Sequence, residues 1–188
     1  YGNQVITLNG KTYTGAANPV LRWSATDKGA TYLNYTYGPS GIKDYLLDCN
    51  GSQQWTTNTQ LSLGEGEYQI KVKARDQENN EGPFSSITLA VDRSTDKVTL
   101  PASPVQVTPG LNGTYNVNFS WNPVQTDLSG IKKYQVALTN FATDPSNGWL
   151  DIGPGQRQYT FANQSVANTP LYIQIRAVDN VNNTSNWT

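Results

Sequence analysis

Apolar and polar positions alternate with a period of two along much of this chain. Val117, Phe119 and Trp121 alternate with Asn118 and Ser120. Tyr68, Ile70, Val72 and Ala74 alternate with Gln69, Lys71, Lys73 and Arg75. Leu171, Ile173, Ile175 and Ala177 do the same against Tyr172, Gln174 and Arg176. Strict alternation puts one apolar face on an extended strand, so these segments are predicted as half-buried β-strands. No segment carries a helical period. Gly64-Glu65-Gly66 and Gly153-Pro154-Gly155 punctuate the pattern as turns.

The pattern also occurs twice. Leu21-Arg22-Trp23-Ser24 matches Phe119-Ser120-Trp121-Asn122, and Ser40-Gly41-Ile42-Lys43-Asp44-Tyr45 matches Ser129-Gly130-Ile131-Lys132-Lys133-Tyr134. Lys73-Ala74-Arg75-Asp76 with Asn79-Asn80 matches Arg176-Ala177-Val178-Asp179 with Asn182-Asn183. Matches in one order at drifting offsets predict two homologous domains with loops of different length. The expected boundaries are a domain over 1–92, a linker over 93–104 carrying charge, Pro101 and Pro104, and a domain over 105–188.

These residues resemble the fibronectin type III and related bacterial immunoglobulin-like families. The resemblance rests on a core Trp on the second strand, Ser-Gly-Ile-x-x-Tyr at the third, and a strand ending Ala-x-Asp-x-x-Asn-Asn. It implies an all-β fold of two tandem immunoglobulin-like β-sandwiches, and it says little about function. Tyr68 is placed to act as a tyrosine corner, whereas Leu171 stands at the matching position.

The repeats differ most at their ends. After Asn79-Asn80 the first continues through Ser86-Ile87-Thr88-Leu89-Ala90-Val91, a seventh strand. After Asn182-Asn183 the second has only Thr184-Ser185-Asn186-Trp187-Thr188. The second sandwich is therefore expected to lack its last strand, leaving an unpaired sheet edge and an open core. Two explanations stand at this point. Either a longer tandem was cut, or a strand from a neighbouring subunit completes the sheet, as in pilin-like filaments built by strand donation. Gln4, Val5, Ile6, Thr7 and Leu8 form a suitable donor and equally suit the first strand of domain one. A head-to-tail contact of that kind does not close on itself and builds a filament of copies of the chain.

Charge and composition narrow the function. Net charge is −1, so there is no basic field for nucleic acid, and no apolar run is long enough to span a bilayer. Charged residues make up only 14%, and neutral polar residues replace them, as expected of a protein outside cells. With no Met anywhere, Tyr1 reads as a processed or cut end. Cys49 is the only cysteine, which excludes an intrachain disulfide and favours a bacterial or archaeal surface protein. There is no His, which removes most general-base, nucleophile-activating and zinc schemes. The acids Glu65/Glu67 and Asp76/Glu78/Glu81 cluster in loops, so the chain is expected not to be an enzyme and to need no cofactor.

Three binding chemistries remain. Asn-x-Ser/Thr occurs eight times, at Asn34, Asn50, Asn112, Asn118, Asn163, Asn182, Asn183 and Asn186, against roughly 3.6 expected by chance from this Asn, Ser and Thr content. The adjacent pair Asn182/Asn183 offers one usable site, and a glycan-coated surface follows if the sequons are used. Asp127 and Asp179 fall in loops that meet at one pole of the second sandwich, facing Asp92 and Asp96, a possible calcium set; ordinary loop capping is the alternative. Tyr35, Tyr37, Trp55 and Trp149 are candidates for stacking on sugar rings, or for packing over the sandwich edge. The reading that follows is a structural cell-surface protein assembled head-to-tail by strand donation. The alternative is an accessory binding or spacer module of a polysaccharide-active enzyme or adhesin.

Overall fold

The computed structural model describes residues 5–32, 35–140, 142–143, 145, 148–165 and 170–188, with side chains left out at 30–32 and 35–37. The chain divides into two compact units, Tyr1–Arg93 and Ser94–Thr188.

The first unit opens with β1 (Val5–Leu8) and β2 (Lys11–Thr14), an antiparallel hairpin. Next come β3 (Val20–Arg22), β4 (Ala30–Tyr32) and β5 (Tyr35–Tyr37). The long strands are β6 (Ile42–Cys49) and β9 (Gly66–Asp76), separated by β7 (Ser52–Thr56) and β8 (Gln60–Ser62). The last is β10 (Ser85–Val91). One sheet runs β1-β2-β10-β9-β6-β7, the second pairs β3 with β8, and β4 pairs with β5. Leu47, Ile70, Leu89 and Val91 from the first sheet pack with Leu21 and Leu61 from the second. The tight β6–β7 connection is Asn50-Gly51, both with positive φ (52° and 85°). Asn-Gly suits such a hairpin because its twist matches the right-handed twist of the strands.

The second unit contains β11 (Val105–Pro109), β12 (Tyr115–Ser120) and β13 (Ile131–Thr139). Then follow β14 (Leu150–Ile152), β15 (Gln158–Gln164) and β16 (Tyr172–Asp179). Its sheets are β11-β12-β15 and β14-β13-β16. Val117, Phe119 and Phe161 from one face Tyr134, Val136, Ile175 and Ala177 from the other. Two sheets with this strand order and an apolar inner layer form an immunoglobulin-like sandwich. The fold is therefore all-β, as the alternation predicts.

The segment expected to be a linker over 93–104 belongs instead to the second sandwich. Val98 is 1% exposed and lies in the core with Trp121 and Tyr134. The Asn122 N–H donates to the Thr99 carbonyl (3.0 Å), and Thr188 Oγ1 donates to the Val98 carbonyl (3.0 Å). The Ser120 N–H reaches Pro104 O (2.8 Å). A single valine among charged and hydroxylated residues carries no period, yet one buried β-branched side chain with satisfied flanking carbonyls is enough to fix the segment.

Candidate functional site

The two repeated motifs meet in each unit as one clasp. Asp76 accepts from the Asn80 N–H and Nδ2 (both 2.8 Å), and Asp179 accepts from the Asn183 N–H and Nδ2 (both 2.7 Å). The middle residues, Asn79 and Asn182, take φ of 66° and 67°, a left-handed conformation that Asn tolerates. Their Oδ1 atoms accept from Lys43 (2.7 Å) and Lys132 (2.8 Å), the lysines of Ser-Gly-Ile-Lys. Gly41 O and Gly130 O accept from the Gln77 and Asn180 N–H groups (3.1 and 3.0 Å). Beside them β6 and β13 shift register, between Ile42 and Asp44 and between Ile131 and Lys133. The motifs thus tie the loops after β9 and β16 to the starts of β6 and β13. They are structural fastenings, and their carboxylates are occupied by backbone and amide donors.

In the second unit the described chain pairs with β16 up to Thr188. The Ser185 N–H donates to Ala177 O (3.0 Å), and Thr188 exchanges both backbone bonds with Ile175 (3.0 and 3.1 Å). The offset of 103 that relates Ala74 to Ala177 also relates Ser85 to Thr188 and Val72 to Ile175. Ser85 pairs with Val72 as the first residue of β10, so the registers are the same. In the first unit β10 continues, and Ile87 pairs with Ile70. Among the described residues no strand lies beside Tyr172–Gln174 on that edge. The consequence appears in burial. Ile70 is 1% exposed, whereas its counterpart Ile173 is only half-buried and Leu171 is 45% exposed. Next to this edge runs an apolar groove of about 660 Å³, lined among others by Leu100, Val105, Val107, Tyr115, Leu138, Leu171 and Ile173. Each large apolar side chain taken fully out of water there would contribute about 1.5 to 3 kcal/mol.

The donor segment is engaged elsewhere. Val5–Leu8 pairs with Lys11–Thr14 as the outermost strand of the first sheet, and Gln4 lies outside the described residues. Val5 is 63% exposed at that edge. As a donor the segment would have to leave its hairpin.

The sequons fall in contrasting places. Asn112 sits exposed in a short 3-10 turn with φ of 52°, and Asn186 is also exposed. Asn50 is exposed, but its Oδ1 accepts from the Gln69 N–H (2.7 Å) and its Nδ2 donates to Glu67 O (3.1 Å). Asn118 accepts from Thr160 Oγ1 (2.5 Å) on the outer face of β12, and Asn163 accepts from Thr114 Oγ1 (3.4 Å). Asn183 spends its Nδ2 on the buried Asp179, whereas Asn182 is exposed. Asn34 lies outside the described residues.

Of the acids considered for calcium, carboxylate oxygens of Asp127 and Asp179 lie within 4.8 Å of each other. Asp127 Oδ1 accepts from Ser129 Oγ (3.4 Å), and Asp96 accepts from Thr126 Oγ1 (3.2 Å). Asp92 follows β10, its N–H bonded to Thr14 O (2.9 Å). Asp179 is fully buried, and its two oxygens are held by Asn183. These bonds are the loop capping that Asp and Asn supply in turns.

Both candidate tryptophans carry an arginine on one face. The Arg75 guanidinium lies 3.8 Å from the Trp55 ring centroid, and Arg176 lies 4.3 Å from that of Trp149. Trp149 Nε1 also donates to Pro145 O (3.1 Å). Trp55 is 39% exposed beside a hollow shaped by Asp44 and 56–58. Arg75 is held by a bidentate pair with Asp44 (2.9 and 2.6 Å), and this guanidinium keeps the Asp44 carboxyl below its ordinary value. The side chains of Tyr35 and Tyr37 are outside the description. Cys49 is half-buried against the first core.

No family model matches the chain. The Tip attachment protein J of Escherichia phage SECphi27 is 27% identical over 125 residues, which is 65% of this chain and 10% of that protein. The chain therefore spans about a tenth of the length of the curated relative it matches. Among solved structures, the FN1-FN3 domains of chicken CNTN1 align over 94% of this chain and 62% of that one. The TM-score is 0.43 and the identity 21%. Neither protein is named as a pilin. The assignment of the fold rests on the strand order of each unit described above.

Proposed function

We propose that this chain is a non-enzymatic structural module of an extracellular assembly, completed by an extended strand added to the open edge of its second sandwich. The observation that carries this reading is the apolar groove beside Tyr172–Gln174, where no strand pairs among the described residues. Edge backbone groups supply affinity to an added strand, and pockets for alternate side chains supply selectivity. The similarity to a phage tip attachment protein supports a structural or adhesive role outside the cell. The neutral polar composition and the excess of sequons support the same setting. Among the described residues no helix is long and apolar enough to cross a membrane.

In the finer form of this reading the strand comes from a second copy. The outermost strand β1 leaves its hairpin and inserts Val5–Leu8 along β16, giving a head-to-tail filament. Light scattering and electron microscopy of the purified chain, beside a variant lacking residues 1–8, test this. Concentration-dependent filaments that the shortened variant cannot form are expected. Stable monomers of the full chain, with both sandwiches unfolding cooperatively, would contradict it.

A binding role has its own specific observation in the exposed Trp55 and the adjacent hollow. Retention of the chain on insoluble polysaccharide, lost in Trp55→Ala, would favour that role.

A further inference from the structure

Asn-Gly occurs four times in the chain, at Asn9, Asn50, Asn112 and Asn147, the last outside the described residues. An asparagine followed by glycine carries its own reaction. The glycine nitrogen can attack the side-chain amide carbon, because glycine has no side chain to hinder the approach. Two of these sites form the same kind of turn. Asn9-Gly10 joins β1 to β2 and Asn50-Gly51 joins β6 to β7, each as a two-residue hairpin loop. Their backbones agree, with φ of 51° and 78° in the first and 52° and 85° in the second. That is the conformation Asn-Gly favours in a tight hairpin.

The turns differ in what holds the reacting atoms. Asn50 Oδ1 accepts from the Gln69 N–H (2.7 Å) and Asn50 Nδ2 donates to Glu67 O (3.1 Å), which draws the amide towards β9. The Gly51 N–H donates to Asp48 Oδ1 (2.9 Å), so the nucleophile is committed as well. Asp48 is itself buried, and its other oxygen accepts from Gln53 Nε2 (2.9 Å). Reaction at Asn50 therefore requires several bonds to break first. Asn9 and Gly10 are both exposed. Among the described residues neither the Asn9 amide nor the Gly10 N–H is hydrogen-bonded.

We infer that Asn9-Gly10 is a self-modifying turn, while Asn50-Gly51 is protected in the same conformation. The Gly10 nitrogen gives up its proton and bonds to Asn9 Cγ. The Cγ–Nδ2 bond breaks, and the amide nitrogen leaves as ammonia with that proton. Water then opens the resulting succinimide at either carbonyl, to aspartate or to isoaspartate. In the isoaspartyl form the main chain runs through Cβ and Cγ and is one atom longer. The turn sets the pairing of Leu8 with Lys11, and a two-residue loop has no slack for an added atom. The isoaspartyl form therefore loosens β1 from β2. This modification is independent of strand addition in the second unit, because it needs no partner.

The test incubates the intact folded chain in mildly alkaline buffer, beside the same chain in urea. Samples taken over time are digested, and mass spectrometry follows amide-to-acid conversion at both sites, with fragmentation separating aspartate from isoaspartate. In the folded chain Asn9 should convert faster than Asn50 by about tenfold or more, the factor that one hydrogen bond can carry. In urea the two sites should convert alike, which shows that folding supplies the difference. The isoaspartyl species, isolated and compared with unmodified chain by hydrogen exchange, should exchange faster across Val5–Leu8. No conversion at Asn9, or equal rates at both sites in the folded chain, would overturn the inference. Unchanged exchange across β1 in the isoaspartyl species would overturn the loosening of the hairpin.

Discussion

The two sandwiches descend from one pattern but are closed at different places. In the first, β10 covers the edge of β9 and buries Ile70, and a hollow lies beside Trp23. In the second, Val98 packs with Trp121 in the core, and among the described residues no strand pairs with Tyr172–Gln174 beside the apolar groove. A sandwich core is sealed by its last strand along one flank and by a short plugging segment at one end.

The largest expected effect tests the plug. Val98→Asp places a charge in the core of the second unit and should cost about 4 kcal/mol, at the upper end for single substitutions. Urea unfolding followed by NMR should show the second unit lost and the first unchanged. Equal loss in both units would mean that the plug is not local to one.

The clasps come next. Asp179 is fully buried, whereas Asp76 is partly exposed. Removing a charged acceptor costs about 1.5 to 3 kcal/mol when its donors are left buried, and less where water replaces it. Asp179→Ala should therefore destabilise its unit more than Asp76→Ala destabilises its own, by denaturant midpoints. The reverse order would break the equivalence of the two clasps.

Acid reaches both units through carboxylates held by their neighbours. In the first, Asp27, Asp44 and Asp48 are held below their ordinary values. The causes are the Gly29 and Gly41 N–H groups, the Arg75 guanidinium and the Gln53 amide respectively. In the second, Lys133 and Gln135 do the same for Asp151. A carboxylate lowered by folding contributes stability that is present above its unfolded value, near 4, and lost as pH falls through the lower folded value. Each unit should accordingly lose the stability these carboxylates contribute between about pH 4 and pH 2. Unit-resolved unfolding across that range measures it. The smallest effect concerns Trp55, whose cation–π contact with Arg75 predicts a loss of about 1 kcal/mol in Trp55→Ala.

The fold was legible because each strand writes its own period, and the repeat doubles that signal. The plug was not. Val98 and Leu100 are the large apolar residues between Ser94 and Pro104, too short a run to write a period, and the segment reads as linker. Its signal was positional, and it could be found only by asking which residue covers Trp121. The Ser-Gly-Ile-Lys and Asp-x-x-Asn-Asn motifs were visible as repeats. That they form one clasp depends on Lys43–Asn79 and Lys132–Asn182 contacts across 36 and 50 residues, which no local pattern encodes. Likewise Asn183 satisfies a sequon on paper, while its amide is committed to Asp179.

The central proposal is that an added strand pairs with β16 at Ile173. Hydrogen exchange of the Ile70 and Ile173 amides tests it most directly, because the two hold the same register position and differ only in whether a strand lies beside them. In the monomeric chain Ile70 should exchange slowly and Ile173 faster, on the order of a hundredfold, and assembly should slow Ile173 to match. Equal, slow exchange at both positions in the monomer would contradict the account.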